Sequence, residues 1–499
     1  MHVPEPRVVV PVRVRWMSAD REPSTAAAQE CEQVFAQLLQ RQPETHIEPS
    51  LTRITELMAA LGDPHSAYPV IQVTGTNGKS STARMIASLL RALGLRTGLY
   101  TSPHLSSPTE RIEIDGEPIS PESFIATWHD VEPFVQIVDE RSLAEGGLPL
   151  SFFEVMTALA YAAFADAPVD VAVVEVGMGG SWDATSVASA QVSVITPIDL
   201  DHMDYLGPTI RDIATEKAGI IAPNGVAVIA AQSPEAASVL SERLTDVKAT
   251  GYWENQQFSI VHRDVAVGGL VVTIDGLGGV YSEVFVPLFG EHQAHNAACA
   301  LVAVEAFLGA NVLAAEVVEE GFTTVTVPGR LEIVRTGPTV VLDVAHNPAG
   351  ARALAAALAE SFAFTHVVGV MSVMSDKDAL GMLIALEPVF DEVVITANLS
   401  RRAMPVDDLA AMAVEIFGAE RVEIAASFAD AMDSAVRLAE EADTYAASGV
   451  VVTGSVVTVG QARFLFNPSR SGARMAAIRP PDPGFGDHLG ARFGEEQEE

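Results

Sequence analysis

The chain has 499 residues, 48% of them apolar, with a formal charge of -35 from 65 acidic against 30 basic side chains. That length exceeds what one hydrophobic core organises, so two or more domains with a cleft between them are expected, and so negative a surface argues against nucleic acid or an anionic membrane as partner. No apolar run reaches the ~18 residues of a membrane span, and Cys31 and Cys299, far apart and in no CxxC spacing, indicate neither a disulfide framework nor a zinc site.

The first 30 residues have no periodic pattern and are expected to be a disordered tail, as is the proline-rich, finally acidic stretch 466–499. The N-terminus lacks a secretory apolar stretch followed by a small-residue cleavage site, which with the unpaired cysteines predicts a cytoplasmic protein. Between the tails, short β-branched runs alternate with Ala/Leu-rich helical stretches, the pattern of an α/β protein with mainly parallel sheets.

The first strand, at 70–73, runs into Thr74-Gly75-Thr76-Asn77-Gly78-Lys79-Ser80-Ser81 and then a helix whose buried stripe is Met85, Ile86, Leu89, Leu90 and Leu93, with Gly94 as its end signal. A strand, a glycine turn and a helix N-terminus in this order cradle phosphate. Lys79 would reach the terminal phosphates and the Ser80 hydroxyl a magnesium ion. The general P-loop pattern requires glycine where this chain has Val73, so only the shorter loop form fits. Lysine is scarce here: the chain has four, Lys79, Lys217, Lys248 and Lys377, which gives one in a glycine turn extra weight.

A second strand, at 169–176, carries Glu175 near its end. A lone carboxylate in an apolar strand costs several kcal/mol to bury, so it calls for a metal or a cation as partner. The strand at 192–196 leads into Asp199-Leu200-Asp201-His202 at a sheet edge where open α/β folds bind ligands. A helix at 209–221 contains Glu216-Lys217-Ala218-Gly219, and Gly290-Glu291-His292-Gln293-Ala294-His295-Asn296 opens an Ala-rich helix. The turn Val327-Pro328-Gly329-Arg330 marks a boundary between a domain at 31–327 and another at 328–465. In the second, strands are expected at 340–343, 367–370, 393–396 and 450–453, the first followed by Val344-Ala345-His346-Asn347-Pro348 and the last by Gly454-Ser455.

These segments, in this order from about residue 50 to 463, resemble the dihydrofolate synthase/folylpolyglutamate synthase branch of the Mur ligase superfamily, actinobacterial in type. The resemblance implies an ATP-binding P-loop domain with a mainly parallel sheet, a smaller Rossmann-like C-terminal domain, and a monomeric ATP- and Mg2+-dependent ligase that joins pteroate or folate to L-glutamate through an acyl phosphate. It places Thr76, Asn77, Gly78, Lys79, Ser80 and Ser81 around the phosphates, and Ser80, Glu175, His202 and Lys217 at magnesium, with Lys217 carrying a carbamate. Asn296 would contact adenine, Arg330 the phosphates from across the hinge, Asp343 the ribose or phosphate-bound water, and His346 the second substrate. On the acid side it implies Ser102, Pro103, His104, Phe153 and Asp183, with Ser455 near the amino acid. Lys79, Lys217, Arg330 and His346 would be the catalytic set. The chain departs from the family where Ser181 and Ser186 replace an arginine and an asparagine. A paralogous ligase for another acid or amino acid, a regulatory P-loop ATPase and a noncatalytic binder therefore stay open.

Overall fold

Each apolar run becomes a strand whose successive residues enter two different cores. In a computed structural model, which describes residues 25–41, 49–442 and 447–466, β1 (Val70–Thr74), β2 (Thr97–Tyr100), β3 (Ile112–Ile114), β4 (Glu117–Pro118), β5 (Val171–Glu175), β6 (Val192–Ile195), β7 (Val226–Ile229) and β8 (Thr250–Trp253) form one sheet. Its order is β4-β3-β2-β5-β1-β6-β7-β8, parallel from β2 to β8 and antiparallel at β3 and β4. Val171 and Val173 pack into the core under helix Lys79–Ala92, while Ala172 and Val174 pack into the core under helix Phe152–Asp166. Burial on both faces is why the sequence of β5 reads as an unbroken apolar run instead of alternating.

An antiparallel three-stranded sheet, β9 (Ser259–Ala266), β10 (Gly269–Asp275) and β11 (Val280–Val286), was not among the expected elements. Leu270, Val272 and Ile274 of β10 point inward and share a core with helix Glu291–Phe307. The second parallel sheet contains β12 (Glu332–Thr336), β13 (Thr339–Leu342), β14 (His366–Met371), β15 (Glu392–Ile395), β16 (Val422–Ile424) and β17 (Ser448–Thr453) in the order β12-β13-β17-β14-β15-β16, with β12 alone antiparallel.

One expectation about the termini changes. Helix Thr25–Leu38 begins inside the stretch read as a tail, because Val34, Phe35 and Leu38 join the core around helix Pro121–Ala144; its polar, Ala-rich start hides the apolar spacing. Residues 1–24 and 467–499 lie outside the described residues. Among the described residues no helix is long and apolar enough to cross a membrane.

Candidate active site

β1 lies between β5 and β6, so the loops leaving all three strands meet at one sheet edge. Val73 pairs with Glu175 and Thr74 with Ile195 in register. The phosphate loop follows β1 directly. Gly78, at φ 88°, starts helix Lys79–Ala92, and a Cβ there would stand 2.5 Å from Asn296 Oδ1. Asn296 is buried and donates from Nδ2 to Gln293 Oε1 at 3.0 Å, so the base-contact candidate is packed onto the loop itself. Gly78→Ala combines a left-handed backbone cost of about 1–3 kcal/mol with this clash. Nucleotide affinity should fall about tenfold, and calorimetric titration with ADP would measure it.

Lys79 Nζ donates to the carbonyls of Gly75 and Thr76, both at 3.1 Å. Burial lowers its pKa, opposed chiefly by Glu175. The Thr76 hydroxyl donates to Asp199 O at 2.9 Å and accepts the Asp199 amide at 3.0 Å. The Ser80 hydroxyl donates to Glu175 Oε1 at 2.8 Å, and the Ser102 amide donates to Glu175 Oε2 at 3.3 Å. Burial raises the Glu175 pKa against the pull of Lys79. A hydroxyl beside a carboxylate at a phosphate loop matches what magnesium takes from protein: few carboxylates, with substrate phosphates and water filling the rest.

Lys217 lies behind the loop at 4% exposure, its Nζ donating to Gly75 O at 2.8 Å. Burial, then the neighbouring Lys79 charge, pushes its ammonium down to about 7. His202 adopts φ 52° and lies 4.0 Å from Asp201; burial holds its pKa down at about 3.

From the second sheet, the hinge brings Arg330 into the same cleft, within the fields of Asp343 and Glu175. Asp343 directly follows β13 and is buried. Its two oxygens accept the amides of Leu331 at 3.1 Å and Ala345 at 2.9 Å, so its carboxylate fixes the backbone on either side of Arg330 and β13. The His346 ring bonds through Nδ1 to Val344 O at 2.9 Å, leaving Nε2 toward Asp201 at 3.5 Å. The Ser455 hydroxyl accepts from Asn398 Nδ2 at 3.1 Å and from the Thr458 amide at 3.1 Å. That makes it the cap of helix Val456–Phe466 as well as a cleft residue.

On the acid side, Ser102-Pro103 is a cis peptide, and His104 Nδ1 accepts Arg111 Nε at 2.9 Å. Burial and Arg111 drive the His104 pKa far down, so it stands neutral. Phe153 covers Gly177, where an added Cβ would come within 2.5 Å of the ring. Asp183 accepts the Met178 amide at 2.9 Å and the Thr185 amide at 3.0 Å, ordering the loop after Glu175. The Ser181 hydroxyl meets Glu216, while the Ser186 hydroxyl donates to Gly180 O at 2.6 Å. Both replaced positions thus serve loop structure.

A cleft of about 920 Å³ collects Thr76, Asn77, Gly78, Lys79, Ser80, Ser102, Pro103, His104, Phe153, Glu175, Asp183, His202, Arg330, His346 and Ser455. Lys217, Asn296 and Asp343 are not on its surface, and Ser81 is turned into the protein at 1% exposure. Sequence reasoning did not select Asp201, Asn347 or Lys377. Asp201 accepts Lys377 Nζ at 2.6 Å and Asn347 Nδ2 at 3.0 Å. It also left out two cleft ion pairs, Arg53–Glu154 at 3.2 Å and Arg84–Glu113 at 2.7 Å. Lysine scarcity was a usable signal for Lys377; the others depend on partners far away in sequence.

A phosphate loop on one parallel sheet, facing a hinge arginine and a second parallel sheet across a shared cleft, defines an ATP-dependent ligase of the Mur type. Residues 151–304 match the Mur ligase middle domain and residues 329–455 the Mur ligase, glutamate ligase domain. The chain belongs to the dihydrofolate synthase/folylpolyglutamate synthase family: it is 54% identical over 454 residues to the Mycobacterium tuberculosis dihydrofolate synthase/folylpolyglutamate synthase, covering 87% of this chain and 93% of that one. The Escherichia coli dihydrofolate synthase/folylpolyglutamate synthase is 32% identical, covering 86% and 94%. A crystal structure of Mycobacterium tuberculosis folylpolyglutamate synthase complexed with ADP and AMPPCP superposes with a TM-score of 0.85 at 53% identity, over 88% of this chain and 99% of that one.

Proposed function

We propose that the cleft activates the carboxylate of a pteroate or folate with ATP and joins it to the amine of L-glutamate, giving an amide, ADP and phosphate. The observation that carries this reading is the convergence of Lys79, Ser80, Glu175, Arg330 and His346 in one cleft between the two sheets. A carboxylate does not condense with an amine in water, and transfer of a phosphoryl group to it creates the leaving group. Lys79, held at the start of its helix, and Arg330, carried by the hinge, supply positive charge where phosphoryl charge develops, in surroundings dry enough to strengthen it. Closure of the part from residue 328 onward over the part before it would exclude water from an acyl phosphate. Lys377 presents its ammonium, and His346 its ring Nε2, to the incoming amino acid.

Ser80 and Glu175, with His202 and a carbamylated Lys217 nearby, would hold Mg2+. When bound, Mg2+ neutralises phosphate charge as a Lewis acid. We further assign the protein to the cytoplasm as a monomer; its two cysteines are free and buried, as fits a reducing compartment. The retained Ser102-Pro103-His104 segment supports a pteroate- or folate-type acid despite Ser181 and Ser186. A coupled ADP-release assay over a panel of acids and amines tests the proposal. Release with dihydropteroate plus L-glutamate, rising in the Ser181→Arg/Ser186→Asn variant, is expected. Turnover of an unrelated aryl acid alone, with none for any pteroate or folate, would sink it.

A further inference from the structure

Asp201 stands where the two sheets meet. It belongs to the loop after β6, yet its carboxylate is spent on the second sheet: Oδ1 accepts Lys377 Nζ at 2.6 Å, and Oδ2 accepts Asn347 Nδ2 at 3.0 Å and faces His346 Nε2 at 3.5 Å. Oδ1 also accepts the amide of His202 at 2.8 Å, which ties the carboxylate to its own loop. His346 and Asn347 follow β13, and Lys377 follows β14, so Asp201 holds the loops after the two strands that flank β17. Asn347 continues the connection. Its Nδ2 also reaches Asn77 Oδ1 in the phosphate loop at 3.2 Å, while its Oδ1 accepts the Gly350 amide at 2.8 Å and caps helix Pro348–Ser361.

We infer that Asp201 is a positioning residue: it couples the phosphate loop to the amine-donor side of the cleft by holding Lys377, Asn347 and His346 in register with Asn77. The inference rests on the ligase reading and deepens it. Other polar contacts join the two sides, such as Arg352–Asp199 at 3.5 Å, but there the side chains are 62% and 43% exposed and water replaces the bond readily. The Asp201 and Lys377 side chains are 8% and 10% exposed. Breaking a pair so buried leaves an uncompensated charge, so the contact behaves as made or unmade instead of loosening gradually. Lys377 and His346 line the cleft, so what Asp201 sets is the placement of the side chains that meet the incoming amino acid. Lys79 is anchored separately, by its own loop carbonyls.

Asp201→Asn, which keeps the size and removes the charge, should therefore raise KM for L-glutamate at least tenfold while ADP affinity stays within twofold. With Lys377→Met added, KM should rise no further than in the worse single variant, because the two residues act as one unit. Equal loss of nucleotide and glutamate affinity, strict additivity, or a lowered melting temperature with KM unchanged would overturn the assignment. Hydrogen exchange needs no turnover and separates the two readings. Faster exchange around 344–350 and 374–379 in Asp201→Asn, with 75–81 unchanged, is expected even of a parent that releases no ADP, an outcome that would count against the ligase reading alone. Unchanged exchange in those segments would overturn the coupling.

Discussion

Lys79→Ala is expected to lower ADP release by about 10²–10³-fold, the cost typical of deleting one preorganised charge from a transition-state site, while the protein still folds. Among the described residues its ammonium donates to the carbonyls of Gly75 and Thr76 within its own loop, and the helix it begins is held by Met85, Ile86, Leu89 and Leu90 in the core. Removing it leaves two loop carbonyls without that donor and strips positive charge from the phosphate position, with Arg330 remaining across the hinge. Steady-state turnover and a melting curve on the same preparation check this. A well-folded Lys79→Ala protein with parental turnover would remove the loop from the mechanism.

Lys217→Ala should be nearly as damaging, about 10²-fold or more, and unlike Lys79→Ala it should be partly rescued by short carboxylic acids. The ε-amine is enclosed, 2.8 Å from Gly75 O, and its ammonium is pushed down to about 7 by burial and by Lys79. A substantial fraction is therefore neutral amine near neutral pH, the form that takes up carbon dioxide. The resulting carbamate would be a carboxylate directly behind the phosphate loop. Labelled bicarbonate should give a carbamate carbonyl resonance in the parent that Lys217→Ala lacks. An unmodified ammonium in a crystal grown with bicarbonate, nucleotide and magnesium would count against the assignment.

What could be read from the sequence was what local chemistry determines. The strand, turn and helix around Lys79 announce themselves within a dozen residues, and Glu175 is conspicuous because a carboxylate in an apolar strand needs partners, among which are the Ser80 hydroxyl and the Ser102 amide. The antiparallel sheet at β9–β11 escaped because β9 and β11 are half-exposed and mix polar residues such as His262, Arg263, Asp264, Ser282 and Glu283 among their apolar ones. Asp201 escaped for a different reason. Its partners lie 146 and 176 residues away, and nothing in Asp-Leu-Asp-His says which aspartate turns toward another sheet. Asp343 and Ser455, expected as ligand contacts, also have oxygens that accept backbone amides of the hinge and of a helix start. Motif position names the residue; the donors around it decide what its oxygens can still do.

The placement of the lysines also governs how the protein meets amine-reactive reagents. Lys217 is buried, Lys79 and Lys377 are partly enclosed and hydrogen-bonded inside the cleft, and Lys248, at the end of helix Pro234–Val247, is the exposed one of the four. An acylating dye or crosslinker used sparingly therefore finds one ready ε-amine, remote in sequence from the phosphate loop, and attaches there while the cleft lysines stay unmodified. Among the lysines, conjugation is thus directed to a single side chain by the fold, without removing any of them by mutation.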